Sequence, residues 1–207
     1  MSRAWTHAVP WLPILGMQWL TCLCMTNAAE PQVFRTFMPE AGPSAFGVVL
    51  GPDLALCYDD LRGGVNQVWL GSLDLTPTFQ AKINQPATIK GTVFYKEGKV
   101  QPLRVNDATK APERRFKGYR YDKNAVIFHY TLDGVAIRET LRASDEGHGM
   151  MRSWSVPEGV ALFFHAETQP DAHVTFDGGE EIAPGVWRHV GQSGKSFMMV
   201  IKPRSKS

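Results

Sequence analysis

The stretch VIFHYTLDGVAIRETL, residues 126–141, indicates most clearly how this chain folds. Two runs rich in β-branched and aromatic residues flank Asp133-Gly134, and Asp-Gly supplies the two positive-φ positions of a type I′ turn. A two-residue loop fixes the register of a hairpin. On one face the predicted pairs are Leu132–Val135, Tyr130–Ile137, Phe128–Glu139 and Val126–Leu141, and on the other face His129 pairs with Arg138.

The rest of the chain from Glu30 onward repeats this pattern of short strands separated by turn residues. No stretch shows convincing helical periodicity. Roughly a dozen strands at this spacing predict an antiparallel β-sandwich, with a closed antiparallel sheet as the alternative, in one domain over residues 30–207. The candidate strands are 45–50, 54–58, 67–70, 88–95, 100–103, 115–121, 126–132, 135–142, 150–156, 161–166, 172–176, 185–190 and 196–201.

Residues 1–29 have a different composition from the rest of the chain. A weakly basic start, an uncharged stretch over residues 8–25 and small residues before Glu30 are typical of a secretory signal peptide. Prolines and a glycine interrupt the apolar stretch, which argues against a membrane anchor. We therefore expect cleavage after Ala28 or Ala29 and a periplasmic or secreted protein.

Composition limits the classes of function. The 207 residues carry a net charge of +2, which is too small to argue for nucleic acid or for an anionic membrane surface. Without the leader only Cys57 remains, so the sequence predicts no intramolecular disulfide, no c-type haem attachment and no thiolate zinc site. We expect no cofactor and no transmembrane segment after cleavage.

The first candidate site follows from the hairpin register, which places Glu139 on an otherwise apolar face. If Lys123-Asn124 is also a two-residue turn, Tyr119 lies beside Phe128 and Tyr121 beside Val126. A carboxylate among aromatic rings suits a sugar, whose C–H face stacks on a ring while its hydroxyls form hydrogen bonds. The alternative is a structural glutamate that is satisfied by a tyrosine or an arginine.

The second candidate site is His165-Ala166-Glu167 followed by Asp171-Ala172-His173. A three-residue loop, residues 168–170, would make these strands a hairpin and bring two histidines and two carboxylates together. Such a set suits Zn, Mn or Fe, in a metal-binding protein or an enzyme. Ordinary alternation explains the pattern equally well, because the other face of both strands is apolar.

Four stretches stand out together: RTFMPEAGP at 35–43, residues 54–58 with 68–74, FKGYR at 116–120 and FHYTLDGV at 128–135. They resemble a module of large exported proteins from planctomycetes and verrucomicrobia, where it occurs beside c-type cytochrome and sugar-dehydrogenase-like domains. The resemblance spans most of Pro31–Arg142 and implies an association with extracytoplasmic carbohydrate oxidation. It transfers no catalytic residue, and this chain has neither a haem motif nor a propeller.

Three hypotheses follow for the mature domain. The first is a non-catalytic binding or interaction module for a glycan or an exported redox protein. The second is a metalloprotein or enzyme that uses the four residues of the second site. The third is a purely structural exported domain. Exposure of Glu139 and the tyrosines in a concave face would favour the first hypothesis, and their burial the third.

Overall fold

The computed structural model describes residues 30–80, 85–98, 100–145 and 147–205. The expected signal peptide therefore lies outside the described residues. The described chain is all-β, as predicted, with fifteen strands and one short helix. In chain order these are β1 (Gln32–Arg35), β2 (Ala45–Gly51), β3 (Leu54–Asp59), β4 (Gly64–Asp74), α1 (Thr76–Gln80), β5 (Thr88–Lys96), β6 (Leu103–Val105), β7 (Arg114–Asp122), β8 (Ala125–Leu132), β9 (Val135–Ala143), β10 (Met150–Ser155), β11 (Ala161–His165), β12 (Ala172–Asp177), β13 (Glu180–Ala183), β14 (Val186–Val190) and β15 (Phe197–Pro203).

The strands form three antiparallel sheets. A five-stranded sheet has the order β1-β2-β3-β4-β5, a six-stranded sheet the order β12-β15-β10-β9-β8-β7, and a four-stranded sheet the order β13-β14-β11-β6. The first of these is a simple meander, because strands that follow one another in the chain also lie side by side. The other two contain strands that are distant in sequence.

The hairpin of β8 and β9 has the predicted register at every position. Asp133 and Gly134 have φ of 48° and 82°, as a type I′ turn requires. Phe128 pairs with Glu139, and His129 pairs with Arg138. Since the side-chain period of a strand is two, this register decides which residues enter the core.

The sheets pack as two layers around one large hydrophobic cluster. The six-stranded sheet is one layer. The five-stranded sheet covers one end of it, where the ring of Tyr58 stacks on Phe128 with 3.8 Å between centres. The four-stranded sheet covers the other end, where Phe164 packs against Trp154 at 5.3 Å and Phe176 at 5.6 Å.

A smaller cluster lies on the opposite face of the five-stranded sheet, around Trp69 and Cys57. Cys57 is buried and free, and burial raises the pKa of its thiol well above the ordinary value. This thiol is therefore protonated and shielded at neutral pH. The described residues contain no helix with the length and hydropathy that a membrane span requires.

Three observed elements, β1, β13 and α1, were not predicted, and one predicted strand lies a few residues from its observed position. β1 and β13 are four-residue edge strands, and all four β13 residues are exposed, so neither shows a clear alternation of apolar residues. The helix α1 has five residues, too few for periodicity, and Asp74 Oδ1 accepts a hydrogen bond from the Thr76 amide at its start. The strand expected over 100–103 is β6 at 103–105.

Candidate functional site

Glu139 lies at the centre of a buried polar network. Its side chain points from β9 into the sandwich, opposite Phe128, and is fully buried. The hydroxyls of Tyr58 and Tyr130 donate hydrogen bonds to Glu139 Oε2 over 3.0 and 2.9 Å, and Arg152 Nε donates to Oε1. Burial raises the pKa of both phenols, so each keeps the proton that it donates. Three donors therefore satisfy a carboxylate that would otherwise be costly to bury.

Arg152 joins Glu139 to a second carboxylate, Glu97, which follows β5. The Arg152 side chain is fully buried and pairs with both carboxylates, and its guanidinium carbon lies 4.6 Å from the ring centre of Trp154. Gly64 makes room for the guanidinium: its φ is 131°, and a Cβ there would lie 2.6 Å from Arg152 Nη2. Glu97 is also enclosed, and this burial raises its pKa to about 7. One cation is thus shared between two carboxylates where the three sheets meet.

Arg114 extends the network towards the surface. Its Nη2 donates a hydrogen bond to the Tyr58 hydroxyl over 2.6 Å, and its guanidinium carbon lies 3.5 Å from the ring centre of Tyr130. Arg114 Nε is 3.4 Å from Asp60 Oδ1. Cations, rings and carboxylates therefore join β3, β7, β8, β9 and β10, which indicates a structural role for the network. Arg114 Nη1 and Arg152 Nη2 are buried and have no hydrogen-bond partner among the described residues.

The two tyrosines of the first candidate site lie apart from this network. Tyr119 is opposite Phe128 and Tyr121 opposite Val126, as the register predicted. Both lie at the rim of the sandwich, 40% and 50% exposed, with their rings edge to face at 5.8 Å. Glu139 is enclosed, so it does not form one open patch with them. Burial of Glu139 fits the structural alternative, whereas the tyrosine pair stays a candidate contact for a ligand.

The second candidate site required β11 and β12 to pair as a hairpin, and that pairing is wrong. β11 pairs with β14 and β6, whereas β12 pairs with β15 in the other layer. The apolar faces of the two strands meet across the core, where the rings of Phe164 and Phe176 are 5.6 Å apart. Residues 166–171 cross from one layer to the other, so His165 and His173 alternate outward on different sheets.

The four residues of the metal hypothesis are consequently not brought together. His165 Nε2 is hydrogen-bonded to the carbonyl of Ala108 over 2.8 Å, and Glu167 and Asp171 lie in the crossing segment. Across the described ranges, no group of three or more His, Cys, Asp or Glu side chains could hold a metal ion.

The crossing segment instead forms one wall of a cleft of about 310 Å³. Four aromatic residues contribute to its lining, and they are Tyr95, Phe164, Phe176 and Trp187. The rings of Phe176 and Trp187 stack with centres 4.5 Å apart and planes 24° apart. Phe176 also stacks on Phe197, so the core holds this pair in place. Small or apolar residues and six polar side chains also line the cleft, and the polar ones are Glu167, Thr168, Gln169, His173, Glu181 and Arg204.

Hydrogen bonds preform the walls of the cleft. The Gln169 side chain accepts from the Lys96 amide over 3.2 Å and donates to the Lys96 carbonyl over 2.8 Å, as a neighbouring strand would. Glu181 Oε1 accepts from the Gly185 amide over 2.8 Å, and Arg204 Nε donates to the carbonyl of residue 172 over 2.9 Å. The crossing segment is anchored by the Gln169 bonds, and also by the Ala166 amide, which donates to the Gly185 carbonyl, and by the Asp171 carbonyl, which accepts from the Arg204 amide.

Two smaller cavities adjoin the cleft, of about 260 and 170 Å³, and both share Tyr95 and Glu167 with it. The smaller one is lined by the Gln101 side chain, whose buried amide atoms have no partner among the described residues. Glu167 therefore lines the cleft and both smaller cavities. The sequence drew attention to Glu167 and His173 for another reason, and it gave no sign that Trp187 would join them.

No protein-family model, curated protein or solved structure matches this chain. We therefore infer the ligands of this protein from the geometry of the cleft and of the sheet surfaces.

Proposed function

We propose that this protein is an exported, non-catalytic β-sandwich binding module that holds a carbohydrate in the cleft beside Glu167 and Trp187. The observation that carries the proposal is the stacked pair of Phe176 and Trp187 in the same cleft lining as carboxylate, amide and imidazole groups. An aromatic floor suits the C–H face of a sugar ring, and the polar rim suits its hydroxyls. Stacking and hydrogen bonds suffice for retention, so the proposal requires no reaction.

The dimensions of the cleft support this choice. A volume of about 310 Å³ is at the lower end of the range for small-molecule sites, which favours one or two sugar rings over a long segment of polymer. Export is the part of the proposal that rests on the expected leader at residues 1–29. The resemblance noted for Pro31–Arg142 concerns the setting of the protein and not this cleft, because Tyr95 is the one lining residue in that range. An exported redox protein is the alternative partner.

Replacing Trp187 with leucine is expected to weaken carbohydrate binding by about tenfold, because leucine keeps the apolar contact with the core but removes the ring on which a sugar stacks. A glycan array selects the best neutral oligosaccharide, and isothermal titration calorimetry then measures its affinity for each variant. Glu167→Gln should also weaken binding, since it removes a charged acceptor without changing the shape of the cleft.

Tyr119→Ala is the matched control, because it removes an exposed aromatic ring at the rim of the sandwich instead. It should leave the affinity unchanged. Loss of binding in Tyr119→Ala with retention in Trp187→Leu would move the site to the tyrosine pair. If no neutral oligosaccharide on the array binds, the carbohydrate proposal for the cleft is wrong.

A further inference from the structure

The outer face of β7, β8 and β9 is strongly cationic. Strand alternation places four arginines and one carboxylate, Asp122, on this face, because Glu139 points inward. At its edges Glu113 and Asp145 pair with Arg115 and Arg142. Lys117, at the bulge of β7, adds another exposed cation. The four arginines are Arg115, Arg120, Arg138 and Arg142. We call this surface the basic face.

The positive charge at its centre is not neutralised. Within the part of the chain that the structure describes, Arg120 and Arg138 are exposed and have no ion-pair partner. His129 is opposite Arg138 and diagonal to Arg120. Partial burial and the two guanidinium charges hold the pKa of His129 below its ordinary value. The local field therefore already disfavours a further cation, as a surface suited to an anionic partner would.

The two arginines without ion-pair partners are also widely spaced across the sheet. Arg120 and Arg138 lie on strands two positions apart, which separates their backbones by about 10 Å at the usual strand spacing. Hydroxyl groups continue the same face: Thr140 pairs with Ser153, and Ser155 accepts a hydrogen bond from Arg138 Nη2 over 3.4 Å. Spaced cations beside hydroxyls can engage acidic groups and sugar hydroxyls together.

We propose that the basic face binds an anionic polysaccharide, with Arg120 and Arg138 contacting carboxylate or sulfate groups on successive sugars. The outward positions of β7, β8 and β9 carry no Phe, Tyr or Trp, so this face lacks the stacking platform that single-stranded nucleic acids use. The basic face and the neutral-sugar cleft share no residue, so either one can fail without the other.

The test measures binding of polygalacturonate to the purified protein by fluorescence anisotropy, at about 0.01 M and about 0.15 M salt. Wild-type protein should bind, and more weakly at the higher salt concentration. The double variant Arg120→Gln/Arg138→Gln should bind at least about tenfold more weakly at low salt. Lys90→Gln/Lys195→Gln removes the same charge from other exposed positions and should stay within about twofold of wild type.

Three outcomes would overturn the proposal. The first is no binding of polygalacturonate by wild type at low salt. The second is an equal loss in the control variant, which would mean that only net charge matters. The third is tighter binding to duplex DNA, or to vesicles of an anionic phospholipid, than to polygalacturonate. Melting temperatures of both variants identify any loss of fold, and the salt dependence of wild type gives a result that needs no variant.

Discussion

Replacing Glu139 with alanine is expected to lower the free energy of unfolding by about 3–5 kcal/mol. The change removes the carboxylate that pairs with Arg152, which is fully buried beside Trp154. It also removes the acceptor of the Tyr58 and Tyr130 hydroxyls. The enclosed Arg152 would keep only Glu97 as an ion-pair partner, and two buried hydroxyl donors would lack their acceptor, which is much more costly than the loss of an exposed ion pair. Urea unfolding followed by circular dichroism measures this difference.

Two further variants separate this cause from general damage to β9. Thr140→Ala changes the neighbouring, outward-facing residue and should cost less than about 1 kcal/mol. Glu139→Leu combined with Arg152→Met and Glu97→Gln removes all three buried charges of the network and should recover a large part of the loss. A cost below about 1 kcal/mol for Glu139→Ala would show that the network is hydrated and open, and the glutamate would again be a candidate ligand contact.

The stability of the protein is expected to fall by about 3 kcal/mol as the pH rises from about 4.5 to about 7, through the titration of Glu97 alone. Burial raises the pKa of this carboxyl from 4.5 to about 7. The folded state therefore binds the proton more tightly than the unfolded state does. The stabilisation is complete below the unfolded pKa and is lost as the pH rises through the folded pKa.

Urea unfolding of wild type and Glu97→Gln at several pH values isolates this contribution, because all other carboxyls remain in both proteins. The difference between their free energies of unfolding should change by about 3 kcal/mol across this pH range. Glu180→Gln, which removes an exposed carboxylate from β13, should keep the pH dependence of wild type. Parallel curves for wild type and Glu97→Gln would mean that Arg152 holds Glu97 ionised and that burial does not raise its pKa.

Local chemistry made much of the fold predictable. The Asp133-Gly134 turn admits only one register, and that register placed Glu139 inside and His129 outside. Expected strands account for every observed strand except β1 and β13, although β6 is displaced. The pairing of distant strands could not be predicted from the sequence, because an apolar face does not reveal whether its partner strand lies beside it in the sheet or across the core. Phe164 and Phe176 show this ambiguity.

The candidate site was less predictable for the same reason. Glu139 could be recognised as a polar residue on a core face. Its partner Arg152, and the Glu97 that shares this cation, come from parts of the chain whose neighbours the sequence does not specify. The cleft depends on the path of residues 166–171 between layers. A net charge of +2 also concealed the basic face, since a whole-chain sum carries no information about distribution.

The proposed function requires a carbohydrate to lie on the ring of Trp187. The structure offers a direct probe, because Trp69 and Trp154 are fully buried, whereas Trp187 lines the cleft. Titration of the selected oligosaccharide into ¹⁵N-labelled protein should shift the Trp187 indole resonance, which Trp187→Leu identifies by its absence, while those of Trp69 and Trp154 stay in place. An unchanged Trp187 resonance at a concentration where calorimetry shows saturation would place the ligand elsewhere and contradict the proposed function of the cleft.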